Sequence, residues 1–403
     1  MTENERKPLI RFKGFIEAWE QRKFGDVLDT ITDYVAAGSF ADLAENVKYK
    51  PSPDYAQLVR TMDLKANFQN KEFVYVDKKA FDFLWRVNLD KECIIMPNIG
   101  NCGEIYYVNP EKLPYKHNVL APNAIFVRSS ENNNKFLGYS FENEIFQKRL
   151  KLIVSPNGQT KFNKTELKSI EISIANVEEQ NKLGDLFDSL NHLITLHQRK
   201  CEKLKSMKAA LLEKMFPAEN EATPKIRFNG FTEAWEQRKL INVASITKGQ
   251  QLNKANMEEY GTYYVLNGGI NPSGHTNVYN TLENTISISE GGNSCGYVNF
   301  NTEKFWSGGH NYTLFNLKID TNYLYQNLKY NEPRIMALRV GSGLPNVQKS
   351  RLEEVSVSFP ENRVEQAKIA LVLKDLDSLI TLHQRKCEKL KNLKSGLLNK
   401  MFC

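Results

Sequence analysis

Two stretches of the chain carry apolar residues at alternating spacings of four and three. The first places Leu190, Ile194, His197, Cys201, Leu204, Lys208, Leu211 and Met215 on one stripe. The second places Leu376, Ile380, His383, Cys387, Leu390, Lys394, Leu397 and Met401 there. This a/d alternation predicts two long helices that pack seam to seam, and the expected arrangement of the pair is an antiparallel coiled coil. A helix of about 25–30 residues at 1.5 Å per residue is roughly 40 Å long. The two seams agree at every place, polar exceptions included, and histidine or lysine in a seam fixes register. His197 and His383 therefore read as seam residues and not as catalytic groups or metal ligands.

Ahead of each helix the period changes to two. Ile170, Ile172 and Ile174 alternate with polar residues, as do Val355, Val357 and Phe359, and each run predicts a strand. A Glu-Gln pair follows each strand and opens the helix. Further upstream, Lys91–Val108 and Glu283–Phe300 share a layout: a β-rich run, a Gly/Asn/Ser loop, Cys-Gly, then an aromatic β-rich run. That layout predicts a hairpin with a wide polar loop. Tyr263–Asn280 reads as another strand–loop–strand.

The periodic segments are copies of one plan. LITLHQRKCEKLK at Leu193–Lys205 returns letter for letter at Leu379–Lys391, and IRFKGFIEAWEQRK at Ile10–Lys23 returns as IRFNGFTEAWEQRK at Ile226–Lys239. The first pair lies 186 residues apart and the second 216, so the second variable segment is 30 residues shorter. Repeats of this kind set the organisation before any local reading. The expected plan has four parts. A first variable α+β domain takes 1–175 with its motif at 10–23, and a helix takes 176–216. A linker and second variable domain take 217–360 with the motif at 226–239, and a second helix takes 361–403. The linker PAENEATP, Pro217–Pro224, carries the proline and charge that end a helix. An antiparallel helix pair predicts two globular domains related by a pseudo-twofold axis.

Composition narrows the function classes only a little. Hydrophobic residues make up 41% and charged residues 25%, ordinary for a soluble protein. A formal charge of +7 with a pI near 8.8 is compatible with nucleic acid and milder than in a ribosomal-type protein. No run of about 18 apolar residues suits a membrane span. The polar MTENERKPLI lacks the apolar segment of a signal peptide, so the expected location is the cytoplasm. The six cysteines, at 93, 102, 201, 295, 387 and 403, show no zinc spacing and read as reduced packing residues.

Catalytic signatures are missing. GLPNVQKS at Gly343–Ser350 imitates a phosphate-binding loop but has Gln348 where the second glycine belongs. GGNSCG at Gly291–Gly296 lies between strands and not before a helix. Pro53–Asp54 with Asp63–Lys65 matches only a loose nuclease pattern, and there is no Asn/Asp-Pro-Pro-aromatic motif for base amino-methylation. The chain reads as a binder. A twin-domain adaptor or scaffold that holds protein partners fits the same plan.

The duplicated motif, the two dissimilar variable domains and the near-identical helices together resemble the DNA-specificity subunit of type I restriction–modification systems. The resemblance covers essentially the whole chain. It rests on FxGFxEAWEQRK (Phe12–Lys23, Phe228–Lys239) and on ITLHQRKCEKLK before LLxKMF (Leu211–Phe216, Leu397–Phe402). GLPNVQKSRLEEVSV also looks like the closing segment of a target recognition domain. The first domain shows a distorted counterpart, SPNGQTKFNKTELKSIEI. The resemblance implies that each variable domain reads one half of a split, asymmetric duplex sequence, and that the helices set the spacer. It further implies two methyltransferase subunits that methylate adenine N6 with S-adenosylmethionine, and two restriction/translocase subunits that use ATP and Mg2+. The chain itself then binds no cofactor, performs no catalysis and touches no membrane. Base edges are read by amide and basic side chains. The expected DNA-contacting residues are Asn98 and Asn101 in the first domain, and Asn267, Asn293, Asn346, Gln348 and Lys349 in the second. Gly268, Gly269, Gly291 and Gly292 read as turn residues. Trp19 and Trp235 read as buried anchors at the domain–helix junction.

Overall fold

The computed structural model describes residues 7–155, 160–218, 221–341 and 345–403. Parts of four stretches read above lie outside the described residues: the first six of the N-terminal decapeptide, Pro156–Gln159 of the distorted segment, Glu219–Asn220 of the linker, and Gly343–Leu344 of the loop that imitates a phosphate site. The chain divides into two units, Met1–Leu196 with Lys386–Cys403, and His197–Arg385. Each variable domain thus shares a unit with parts of both long helices.

Among the described residues each unit has nine strands. In the first they are β1 (Glu20–Lys23), β2 (Thr30–Asp33), β3 (Ala56–Val59), β4 (Tyr75–Val76), β5 (Cys93–Pro97), β6 (Tyr106–Val108), β7 (Asn118–Leu120), β8 (Ala124–Arg128) and β9 (Glu171–Ile174). In the second they are β10 (Glu236–Lys239), β11 (Ser245–Lys248), β12 (Tyr263–Leu266), β13 (Gly274–Thr276), β14 (Thr285–Ser289), β15 (Val298–Asn301), β16 (Trp306–Ser307), β17 (Asn311–Phe315) and β18 (Ser356–Phe359). The sheets run β2-β8-β5-β6, β4-β3-β7 and β1-β9 in the first unit, and β11-β17-β14-β15, β13-β12-β16 and β10-β18 in the second. Every strand of the second unit takes the place of the strand nine numbers earlier. The two β-rich runs with the shared layout form antiparallel hairpins, β5–β6 and β14–β15.

Dissimilar sequences reach this one topology by different packing. β5 and β8 are buried on both faces, which gives near-continuous apolar runs. Ile94, Met96, Ile125 and Val127 point into a core around Trp19, while Cys93, Ile95, Ala124 and Phe126 enter a second core with Leu58, Leu84 and Val119. In β14, Ile286 and Ile288 are core, but the opposite face carries Ser287 and Ser289. Those hydroxyls are satisfied: Asn301 Nδ2 donates to Ser287 Oγ at 2.9 Å, and Ser289 Oγ donates to the Gly268 carbonyl at 2.7 Å. A buried polar face costs little when its groups are paired.

The Cys-Gly pair common to both hairpins has a backbone reason. Gly103 and Gly296 have φ of +106° and +87°, a region closed to most side chains. A Cβ on Gly296 would lie 2.8 Å from Met336 Cα. Gly296→Ala is expected to lower the stability of the second unit by about 1–3 kcal/mol. A thermal melt indistinguishable from wild type would contradict this.

The long helices span Val177–Met215 and Arg363–Met401, 39 residues each. At 1.5 Å per residue that is about 58 Å, longer than the roughly 40 Å that the a/d stripe alone suggested, and within the expected helix bounds of 176–216 and 361–403. The stripe extends upstream of the identical letters through Leu183 and Phe187, and through Ile369 and Leu373, all buried. Of the expected seam, Leu190, Ile194, Cys201, Leu376, Ile380 and Cys387 are buried. His197, Leu204, Leu211, His383, Leu390 and Leu397 are half-buried. In the second unit the helices run antiparallel. His197 and His383 share a hydrogen bond at 2.8 Å between their Nδ1 atoms, and Lys208 Nζ reaches both oxygens of Asp377 at 2.7 Å. In the first unit Lys394 Nζ instead meets Glu142 Oε2 at 2.8 Å.

The repeated motif joins the start of one helix to the end of the other. Arg11 forks onto buried Glu179, Nε to Oε1 at 2.9 Å and an Nη to Oε2 at 2.7 Å. Arg227 does the same to Glu365 at 2.7 and 2.9 Å. These are the glutamates of the two Glu-Gln pairs. Their glutamines hold the variable domains: Gln180 Oε1 accepts from Asn133 N, and Gln366 Oε1 from Asp320 N. Phe402, at the end of the second helix, stands edge-on to Trp19 at 5.9 Å. Phe216, at the end of the first, stands edge-on to Trp235 at 6.2 Å.

Cys93, Cys201, Cys295 and Cys387 are buried, while Cys102 and Cys403 are half-buried. Burial pushes the Cys403 thiol up to about 11, so it carries little thiolate at neutral pH. No described helix is long and apolar enough to cross a membrane.

Candidate nucleic-acid interface

In the second unit three loops meet where the inner strand β14 of the four-stranded sheet ends and its inner neighbour β17 begins. The residue after β14, Glu290, donates its backbone N–H to the His310 carbonyl at 2.9 Å and accepts from Val347 N at 2.8 Å. Gly292 N donates to the Pro345 carbonyl at 3.0 Å, and Asn346 bridges both Gly291 and Val340. These bonds enclose a groove of about 610 Å³ lined by Lys248, Asn267, Glu290, His310 and Asn346. Glu290 Oε1 accepts from Lys248 Nζ at 2.6 Å and from the Tyr312 hydroxyl at 2.9 Å, while Oε2 lies 3.5 Å from His310 Nδ1.

The same bonds recur in the first unit. Asn98 N donates to the Asn123 carbonyl at 3.2 Å, Phe162 N to the Asn98 carbonyl at 3.1 Å, and Gly100 N to the Thr160 carbonyl at 2.8 Å. Lys161 bridges Ile99 and Ser155. The segment taken as distorted therefore folds as a counterpart: Lys161, Phe162, Asn163 and Lys164 occupy the places of Asn346, Val347, Gln348 and Lys349. Short helices start alike after both, at Lys164–Lys168 and Lys349–Glu353. The groove here, about 500 Å³, is walled by Tyr34, Val35, Phe40 and Tyr49 beside Asp33 and Asn98.

The expected contact residues land in different settings. Asn98 is half-buried, with a side-chain oxygen that is shielded and unpartnered. Asn101 and Asn293 are exposed on the matching hairpin loops. Asn267 is committed in part to the loop itself, because its Oδ1 accepts from His310 N at 3.0 Å. Asn346 is exposed on the groove rim. Gln348 and Lys349 are exposed at the start of the short helix, where Lys349 lies 3.5 Å from Glu353. Of the four glycines, Gly268 and Gly292 hold positive φ. Asp33, Asn123, Lys161, Asn163, Lys164, Lys248, Glu290 and His310 stand at the same loops and were not among the expected residues. The sequence carried one signal for part of this set: KFNKTEL and NVQKSRL share the order polar, apolar, amide, Lys, hydroxyl, any, Leu.

The family model described as type I restriction modification DNA specificity domain matches residues 16–206 and 232–392. The chain belongs to that family. The specificity-domain match falls once on each half, as the strand-for-strand repetition requires. A protein of Mycoplasma genitalium named as a type I specificity subunit is 34% identical over 183 residues, 45% of this chain and 47% of that protein. The chain thus spans about half the length of this relative. A protein of Methanocaldococcus jannaschii named as a type I restriction enzyme specificity subunit is 25% identical over 412 positions, covering 95% of this chain and 92% of its own. The crystal structure of a type I restriction–modification S subunit from M. genitalium has the same fold, with a TM-score of 0.71 at 17% identity over 98% of this chain and 99% of that one.

Proposed function

We propose that this chain is the DNA-specificity subunit of a type I restriction–modification complex. Each variable domain reads one half of a split, asymmetric duplex target, and the helix pair sets the unspecified spacer. The chain is non-catalytic and works in the cytoplasm. S-adenosylmethionine, ATP and Mg2+ belong to its partners, two adenine-N6 methyltransferase subunits and two restriction/translocase subunits. The observation that carries this reading is one nine-strand scaffold built twice with different side chains at the same loop edge. That is what reading two unrelated half-sites asks of a protein.

A count of two methyltransferase subunits has separate support. A helix seam requires matching residues only on its packed stripe. Here the exposed residues are duplicated as well: Leu193 and Leu196 return as Leu379 and Leu382, and Arg199 and Lys200 as Arg385 and Lys386. Two outer faces that are identical through Leu193–Lys205 and Leu379–Lys391 suit two copies of one partner.

The decisive experiment expresses the chain with its neighbouring methyltransferase subunit in cells without adenine methylation and maps N6-methyladenine. A two-part motif that needs both proteins is the expected result. A stable complex without methylation would favour the protein adaptor instead. Affinity of the complex for its target should also fall with salt. For about 6–10 phosphate contacts the loss between 50 and 200 mM salt is on the order of 10³–10⁵. A salt-independent affinity would argue against binding through the phosphate backbone.

A further inference from the structure

We propose that four pairs of side chains at matched places in the two units, Asp33 with Lys248, Asn98 with Glu290, Asn123 with His310 and Lys161 with Asn346, set the base preference of the two half-sites. This rests on the reading of the chain as a two-headed DNA reader, and names the residues that do the reading.

The matching is given by backbone pairing. Asp33 stands opposite Ile125 across β2 and β8, and Lys248 opposite Tyr312 across β11 and β17. Asn98 and Glu290 each follow an inner strand of the four-stranded sheet, β5 or β14, and bond the residue just before the other inner strand, Asn123 or His310. Lys161 and Asn346 each bridge the hairpin loop on one side and Ser155 or Val340 on the other. Where the frame needs a particular chemistry the halves agree: Arg11 and Arg227, Glu179 and Glu365, Trp19 and Trp235, Gly103 and Gly296. At the four matched positions they disagree every time, and charge or hydrogen-bonding character changes at each. Lys161 is placed by its backbone bridges to Ile99 and Ser155, and the other seven line the two grooves. Asp33 is an acid whose Oδ2 lies 2.8 Å from Lys164, whereas Lys248 is a base held by Glu290. The wall differs too. Phe40, 83% exposed, flanks the first groove, while glycine loops flank the second. A fixed backbone that presents lysine, asparagine, glutamate and apolar groups in two different sets matches the chemistry that separates one base pair from another in the major groove.

The test uses the full complex with its methyltransferase subunit, read by mapping methyladenine. Asn346→Lys and Lys248→Ala are expected to change bases only in the half-site of the second domain, and Lys161→Asn only in that of the first. In each case the other half and the spacer stay as in wild type. Preference at an affected base should fall by about ten- to a hundredfold. An unchanged motif in folded variants would overturn the assignment, as would a uniform loss across all sequences. Thermal melting and co-purification with the methyltransferase subunit report folding. If one of these variants fails to fold, Asn346→Ser and Lys161→Arg carry the same test. A wild-type complex that yields no two-part motif would overturn the underlying reading, whereas a wild-type motif indifferent to these changes sinks only the residue assignment.

Discussion

Trp19→Ala is expected to cost about 3–5 kcal/mol of stability and to leave the recognised sequence unchanged. Trp19 is 2% exposed. Its ring meets Phe136 edge-on at 5.6 Å and Phe402 at 5.9 Å, and its Nε1 donates to Glu179 Oε2 at 3.0 Å. Truncation opens a cavity among aromatic groups and removes a hydrogen bond from a buried carboxylate. Trp235 offers an internal comparison. It packs on Phe216 and Tyr323 in the same way, but its Nε1 is buried without a partner. Trp19→Phe should therefore be costlier than Trp235→Phe, by about 1.5–3 kcal/mol, the worth of a hydrogen bond to a charged group. Denaturation of both variants checks the difference. A folded Trp19→Ala protein with an altered methylation motif would show that the ring reads bases after all.

Glu365→Ala is the second large effect, at about 3–5 kcal/mol. The Glu365 side chain is wholly buried, and Arg227, 14% exposed, has few other partners for its fork. One of its Nη groups also donates to the Glu233 carbonyl at 2.6 Å. Removing the carboxylate leaves a nearly buried guanidinium uncompensated, and frees the repeated motif from the start of the helix. The double change Arg227→Met with Glu365→Ala should recover much of the loss, because a missing pair costs less than half of one. A double-mutant cycle measures this, and strictly additive costs would mean that the pair contributes no coupling.

Much of the plan was legible along the chain because it is local or duplicated. Period four-three marks the two long helices, period two marks β9 and β18, and the repeated letters mark the motif that holds them. The Cys-Gly layout marked both hairpins, since a positive φ demands glycine wherever that turn occurs. Local pattern reports burial and conformation but not the partner that supplies the burial. Two seams with the same letters do not say which helix end completes which unit, and only the fold put Phe402 beside Trp19 and Phe216 beside Trp235.

The identity of the two variable domains was likewise beyond the sequence. β5 is apolar on both faces, whereas β14 turns a hydrogen-bonded serine face inward, so the same strand position carries different patterns. The candidate interface depended on tertiary structure most of all. Ile99 meets Lys161 and Gly291 meets Asn346 through backbone bonds that place no demand on side-chain type. The chain by itself determined a duplicated architecture with a family resemblance. Which polar side chains share a groove was decided by long-range strand pairing, because backbone hydrogen bonds join residues whose sequences need not match.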